Sequence, residues 1–240
     1  MKVRRSTQHL LAATFAAAAL VLAACGDDPS VGDSSASDPV TIPEPSDDPT
    51  GTPPASGPTA IPDDFPLTSG WPEDDGSSEY RLTEPSPDNE GMVAAGDLAA
   101  CDTSADAGDP VDRLTTRLSW GSAGYAREIQ LFADPTAAEQ FVDSVRDVYR
   151  ACPTSDQNGT PPTYTTEVNQ GALGEHSLVI TRVSDGIGRA VIQVVRIGNA
   201  VVVDALGDEA DPDDFPVIDL ATEARENLAD VIGATYELQG

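Results

Sequence analysis

Ser177-Leu178-Val179-Ile180-Thr181-Arg182-Val183, Ala190-Val191-Ile192-Gln193-Val194-Val195 and Ala200-Val201-Val202-Val203 decide the fold. Each run is short, dominated by β-branched side chains and bounded by turn residues, which is the pattern of a buried strand rather than a helix. Asp185-Gly186-Ile187-Gly188 separates the first run from the second, and Gly198-Asn199 the second from the third. A two-residue Gly-Asn link signals a tight hairpin, because both residue types tolerate a positive φ. With a further strand at residues 163–168, the segments 163–168, 177–184, 189–197 and 200–206 form an antiparallel meander, and the first two quoted runs are apolar enough to be central.

Working outward, Arg113 to Trp120 and Tyr125 to Phe132 flank Gly121-Ser122-Ala123-Gly124 and predict a second hairpin with a short Gly-rich loop. A helix follows at once. Asp134 is a good N-cap, Pro135 suits the first turn, and Ala138, Phe141, Val142, Val145, Val148, Tyr149 and Cys152 recur at three- and four-residue steps until Pro153. A last helix, Val217 to Ile232, carries Val217, Leu220, Ala221, Ala224, Leu228 and Val231 on one stripe and is predicted to stop at Gly233. Hairpins alternating with two main helices imply a single α+β domain, a mainly antiparallel sheet with both helices on one face. The other face is then expected to be solvated or a binding surface.

The N-terminus gives an address. Lys2, Arg4 and Arg5 precede an apolar run from Leu10 to about Leu22, which has the anatomy of a secretory signal and is too short for a stable span. Leu22-Ala23-Ala24-Cys25 with Gly26 after it resembles the lipobox of bacterial lipoproteins. That resemblance implies a signal peptide at residues 1–24, cleavage between Ala24 and Cys25, and acylation of Cys25. Two or more acyl chains make membrane attachment durable, since each buried methylene is worth about 0.8 kcal/mol. The expected location is the extracytoplasmic side of the cell membrane, with membrane lipid as a partner through Cys25.

Residues 25–60 are rich in Pro, Ser, Thr, Asp and Gly and, from Gly26 on, hold neither Lys nor Arg. Such a stretch buries too little apolar surface to offset its ordering entropy, and is expected to be a disordered tether reaching on the order of 100 Å. The domain then spans residues 61–240, beginning with Ile61, Phe65, Leu67 and Trp71 as an extended strap laid over it. Pro62-Asp63-Asp64-Phe65-Pro66 recurs as Pro212-Asp213-Asp214-Phe215-Pro216 with nothing else repeating at that offset. We read the repeat as shared turn chemistry.

Net charge excludes several partners. The chain stands at −28, and removing residues 1–24, which carry three basic side chains and no acid, takes it to −31. Nucleic acid and anionic polymers are therefore not expected as partners. Once Cys25 carries lipid, Cys101 and Cys152 are an even pair outside the cytoplasm, which reads as a disulfide; a redox-active pair would want the absent Cys-x-x-Cys spacing. His176 is the only histidine after cleavage and sits in Gly174-Glu175-His176-Ser177 without a Gly-x-Ser-x-Gly elbow, so it reads as an exposed loop residue and not a catalytic base. Asp208-Glu209-Ala210-Asp211-Pro212-Asp213-Asp214 lacks the ligand alternation and terminal Glu of a calcium loop and reads as a solvated turn. No catalytic residue, metal ligand or cofactor is assigned.

Tyr125 through Ala138, then Phe141 through Cys152, then the apolar hairpin with Arg196-Ile197-Gly198-Asn199 and Ala200 through Val203, resemble the sensor-type domains of actinobacterial lipoproteins, similar to the PknH-like extracellular domain. The resemblance spans roughly residues 100–233. It implies an antiparallel sheet with helices, a ligand cleft and no enzymatic activity. Kinase-attached members usually carry two disulfides where this chain has one. The expected function is a lipid-anchored, non-enzymatic, sensor-like or ligand-binding domain taking a small molecule, a lipid or an envelope protein, with ligand-binding residues unassigned. The alternative is a structural or adaptor lipoprotein that docks an envelope protein or polymer on its open sheet face.

Overall fold

The computed structural model describes residues 57–157, 160–184, 188–209 and 217–240. The signal peptide, Cys25, most of the tether, the second copy of the pentapeptide and the acidic residues 211–214 lie outside them. The strands are β1 (Arg81–Ser86), β2 (Ala99–Ala100), β3 (Thr103–Ser104), β4 (Asp112–Trp120) and β5 (Ala123–Leu131); then come α1 (Pro135–Ala151), β6 (Thr154–Gln157), β7 (Thr160–Gln170), β8 (His176–Ser184), β9 (Gly188–Ile197), β10 (Ala200–Asp208), α2 (Val217–Asn227) and α3 (Ala229–Gln239). The domain is α+β. Eight strands form one antiparallel sheet in the order β1-β4-β5-β10-β9-β8-β7-β6, and β2 and β3 pair separately.

The meander is as expected, and its last strand returns to pair with β5, closing the hairpin and the meander into one sheet. Both hairpin links are two residues long. Trp120 pairs with Ala123, so the Gly-rich loop shrinks to Gly121-Ser122, with Gly121 at φ 58°. Ile197 pairs with Ala200 across Gly198-Asn199, where only the glycine takes a positive φ, as a hairpin turn led by glycine requires. Asn199 is instead kept for its side chain, whose amide donates to Pro58 O at 3.0 Å and Phe132 O at 2.6 Å.

Helix α1 begins where the sequence indicates. Asp134 Oδ1 accepts from Thr136 N at 2.8 Å and Ala137 N at 2.9 Å, satisfying two donors that the first turn leaves orphaned. Asp134→Ala is expected to cost about 1 kcal/mol, read as a lower urea midpoint with an unchanged slope. The helix buries Ala138, Phe141, Val142, Val145, Val148 and Tyr149 against the sheet.

The helices do not share a face, which corrects their expected placement. Alternate residues of a strand point to opposite sides. Val201 and Val203 of β10, with Ile192 and Val194 of β9, meet α1. Val202 and Val195 meet Leu228, Val231 and Ile232, while Val191 and Leu206 meet Leu220 and Ala224. The central strands are apolar on both sides and need two covers. The second cover is α2, α3 and the strap, whose Ile61, Phe65, Leu67 and Trp71 are buried as expected. The first pentapeptide does form a turn, closed by Phe65 N to Pro62 O at 3.0 Å.

The last helix is also longer than predicted and interrupted. It breaks at Leu228 and runs through Gly233 to Gln239. At the break, Arg127 Nη2 donates to Asn227 O at 3.5 Å, and the strap passes so close that a Cβ on Gly70 (φ 79°) would lie 2.5 Å from that oxygen. Beyond Gly233, Ala234 and Leu238 pack against the core, and the buried Thr235 donates within the helix to Val231 O at 2.7 Å. The edge strands β1 and β6 carry no apolar alternation. Pro85 sits in an irregular stretch of β1, where a missing N–H does no harm at an edge.

Candidate functional site

Cys101 and Cys152 are bonded, with Cα atoms 5.9 Å apart, and join the β2–β3 turn to the end of α1. His176 departs from expectation: it opens β8 and is half-buried against α1 rather than exposed in a loop. Its Nε2 lies 2.6 Å from Arg146 Nη2. A guanidinium can only donate, so in this contact Nε2 is the acceptor. Asp208 ends β10 and accepts from Ser122 Oγ at 3.0 Å, with Arg189 Nη2 at 3.4 Å. Among the described residues no group of three or more His, Cys, Asp or Glu could hold a metal ion, and no helix is long and apolar enough to cross a membrane.

A cavity of about 500 Å³ lies at the end of the sheet on the α1 side. Its floor is a cross-strand row of small residues, Gly124, Gly207 and Ala190. Arg182 forms one wall, its guanidinium 4.7 Å from the Tyr164 ring and 5.9 Å from that of Tyr149. Burial pushes the Tyr149 phenol up to about 12 against the opposing pull of Arg182, so it stays protonated and donates to Asp97 O at 2.9 Å. Arg182 Nη2 also lies 3.4 Å from Ser155 Oγ, and its Nε has no hydrogen-bond partner among the described residues.

The second cavity is of a different kind. About 480 Å³ opens between α2 and the β7–β8–β9 part of the sheet, within the range typical of small-molecule sites, roughly 300–1,000 Å³. Among the described side chains of α2, Leu220 and Ala224 pack over β9, β10 and β5, while Ala221, Thr222 and Arg225 line the cavity. Val179 and Leu173 are left half-covered. On its floor is Gln193, 2% exposed, whose Nε2 has no hydrogen-bond partner among the described residues. An unpaired buried donor costs about 1–3 kcal/mol. Arg225 of α2 stands exposed at the rim, and none of the described acids forms an ion pair with it.

Gln193 also belongs to a polar row under the helices. Across the register, Asn169 faces Val179, Val179 faces Gln193, Gln193 faces Asp204 and Asp204 faces Arg127. Arg127 and Asp204 form a buried ion pair, Nε to Oδ1 2.6 Å. Sequence reasoning missed Gln193, Arg225 and this pair. A lone glutamine inside Ala190-Val191-Ile192-Gln193-Val194-Val195 was the available signal for the first.

No family model matches the sequence, and no curated protein does. Among solved structures, the chain is similar to the extracellular domain of PknH from Mycobacterium tuberculosis, at 15% identity and a TM-score of 0.43, over 65% of this chain and 86% of that one. It is also similar to the Rv0999 ortholog from Mycobacterium smegmatis, at 14% identity and a TM-score of 0.38, over 66% and 90% of the two chains.

Proposed function

We propose that this protein is a lipid-anchored, extracytoplasmic domain without enzymatic activity that binds a small ligand beneath α2. The observation that carries the reading is the cavity beside a buried amide donor that has no partner among the described residues. Sites for small molecules combine apolar walls with a few placed polar groups. Buried donors are ordinarily paired, which makes this amide a place where a ligand acceptor would be stabilising. The disulfide supports export, because such bonds persist in oxidising compartments. The residues around Cys25 support anchoring. The adaptor reading needed an open sheet face, whereas apolar residues on both faces of the central strands are covered.

Two measurements test this. Native mass spectrometry of the protein extracted from its host membrane is expected to show a co-purifying small molecule that Ala221→Trp, which fills the cavity, removes. Its absence from every preparation of the native protein would count against ligand binding. Cys25→Ser is expected to move the protein out of the membrane fraction of its host. Retention there would show that something other than Cys25 is the anchor.

A further inference from the structure

The geometry points to a ligand class: we propose that the cavity beneath α2 takes a carboxylate carried on an apolar chain. The inference rests on the ligand-binding reading above. Gln193 fixes the polar end. Its Nε2 is a pure donor, the residue is 2% exposed, and among the described residues nothing accepts from it, so a group that completes it must present an acceptor oxygen. Arg225 fixes the sign of the charge. It is a cation at the rim of the cavity, in a chain of net charge −28, and none of the described acids is ion-paired with it. An anion bound there accepts a charge-assisted hydrogen bond, about twice as strong as a neutral one. Glu167, on the β7 wall, repels the same charge and so orients it toward α2. Val179, Leu173, Ala172 and Ala221 offer apolar surface for the chain, interleaved with the polar Asn169, Gln170, Thr181 and Thr222.

The probe is dodecanoate, held below its micelle concentration and titrated calorimetrically into the full chain carrying Cys25→Ser, so that no acyl group of the protein competes. Saturable binding at one site is expected, with methyl dodecanoate bound at least tenfold more weakly. Gln193→Leu is expected to weaken dodecanoate at least tenfold while raising the melting temperature of the empty protein, because it deletes an unpaired buried donor. Arg225→Gln is expected to remove the preference for the acid over its ester. Equal affinity for acid and ester, undiminished binding by Gln193→Leu, or no saturable binding would each overturn the proposal. The broader reading fails separately. If the host-extracted protein holds a molecule that lacks a carboxylate and is lost in Ala221→Trp, the ligand class is wrong and the site stands; if it holds nothing, both fall.

Discussion

Replacing Arg127 by Met is expected to destabilise the domain by about 3–5 kcal/mol, because it strands a charge in the interior. Arg127 is fully buried and Asp204 is 3% exposed. The guanidinium Nε donates to Asp204, Nη1 donates to Leu67 O at 2.9 Å and Ser69 O at 2.8 Å, Nη2 reaches Asn227 O, and the group lies 5.0 Å from the centre of the Trp71 ring. One side chain thus fastens β5 to β10, to the strap and to the break between α2 and α3. Arg127→Met with Asp204→Leu should recover most of the loss, since an apolar pair can replace a buried ion pair at little cost. The strap carbonyls stay unpaired in that double variant. It is therefore expected to be more stable in urea than Arg127→Met but less stable than the native chain, and to be cut by protease around residues 66–72. Equal protection of that segment in both proteins would show that Arg127 does not hold the strap.

The same pair sets a pH dependence. Burial pushes the Asp204 carboxyl above the ordinary carboxylate value, against the opposing pull of Arg127 and a hydrogen bond from Trp71. When the folded value exceeds the unfolded one, the folded state holds the extra proton. The group's contribution then falls as pH rises between the two values and is not lost in acid. Removing Arg127 takes away the downward pull and widens that window. The stability gap between the native chain and Arg127→Met is therefore expected to narrow on acidification from neutral pH, and a constant gap would contradict this.

How much of this was legible depends on the range of the forces involved. The meander and α1 follow from local signals: Gly198-Asn199 permits only a tight reversal, and Asp134-Pro135 can open a helix but not extend a strand. The covering of both sheet faces was written in Val201-Val202-Val203 and Val194-Val195, where consecutive apolar residues must point to opposite sides. Placing both helices on one face overlooked that. The partnership of Arg127 with Asp204 was not legible. The two are 77 positions apart, each reads alone as a solvated residue on a strand, and only the return of β10 to β5 brings them together. The cavity beneath α2 was hidden for a related reason. A void has no sequence signal until the helix is docked.

Reduction of the Cys101–Cys152 bond carries the other large expected effect. The bond closes a loop with a sequence separation of 51, which in the chain-entropy treatment is worth about 4 kcal/mol. For a domain of this size, each kcal/mol moves the melting temperature by about 2–4 °C, so reduction should lower it by about 8–16 °C. Cys101 is exposed and gives a reductant access, whereas Cys152 is buried against α1. The backbone makes the effect specific to one turn. Cys101 and Asp102 have φ of 48° and 61°, left-handed positions that cost a residue other than glycine about 1–3 kcal/mol unless the surroundings hold them. The bond is one of those surroundings. Once it is gone, a residue tolerant of that conformation should matter more, so Cys101→Asn with Cys152→Ser is expected to be more stable than Cys101→Ser with Cys152→Ser. Equal melting temperatures for the two double variants would show that the turn relaxes freely, and an unchanged melting temperature on reduction would show that packing of α1, not the cross-link, holds residues 97–106.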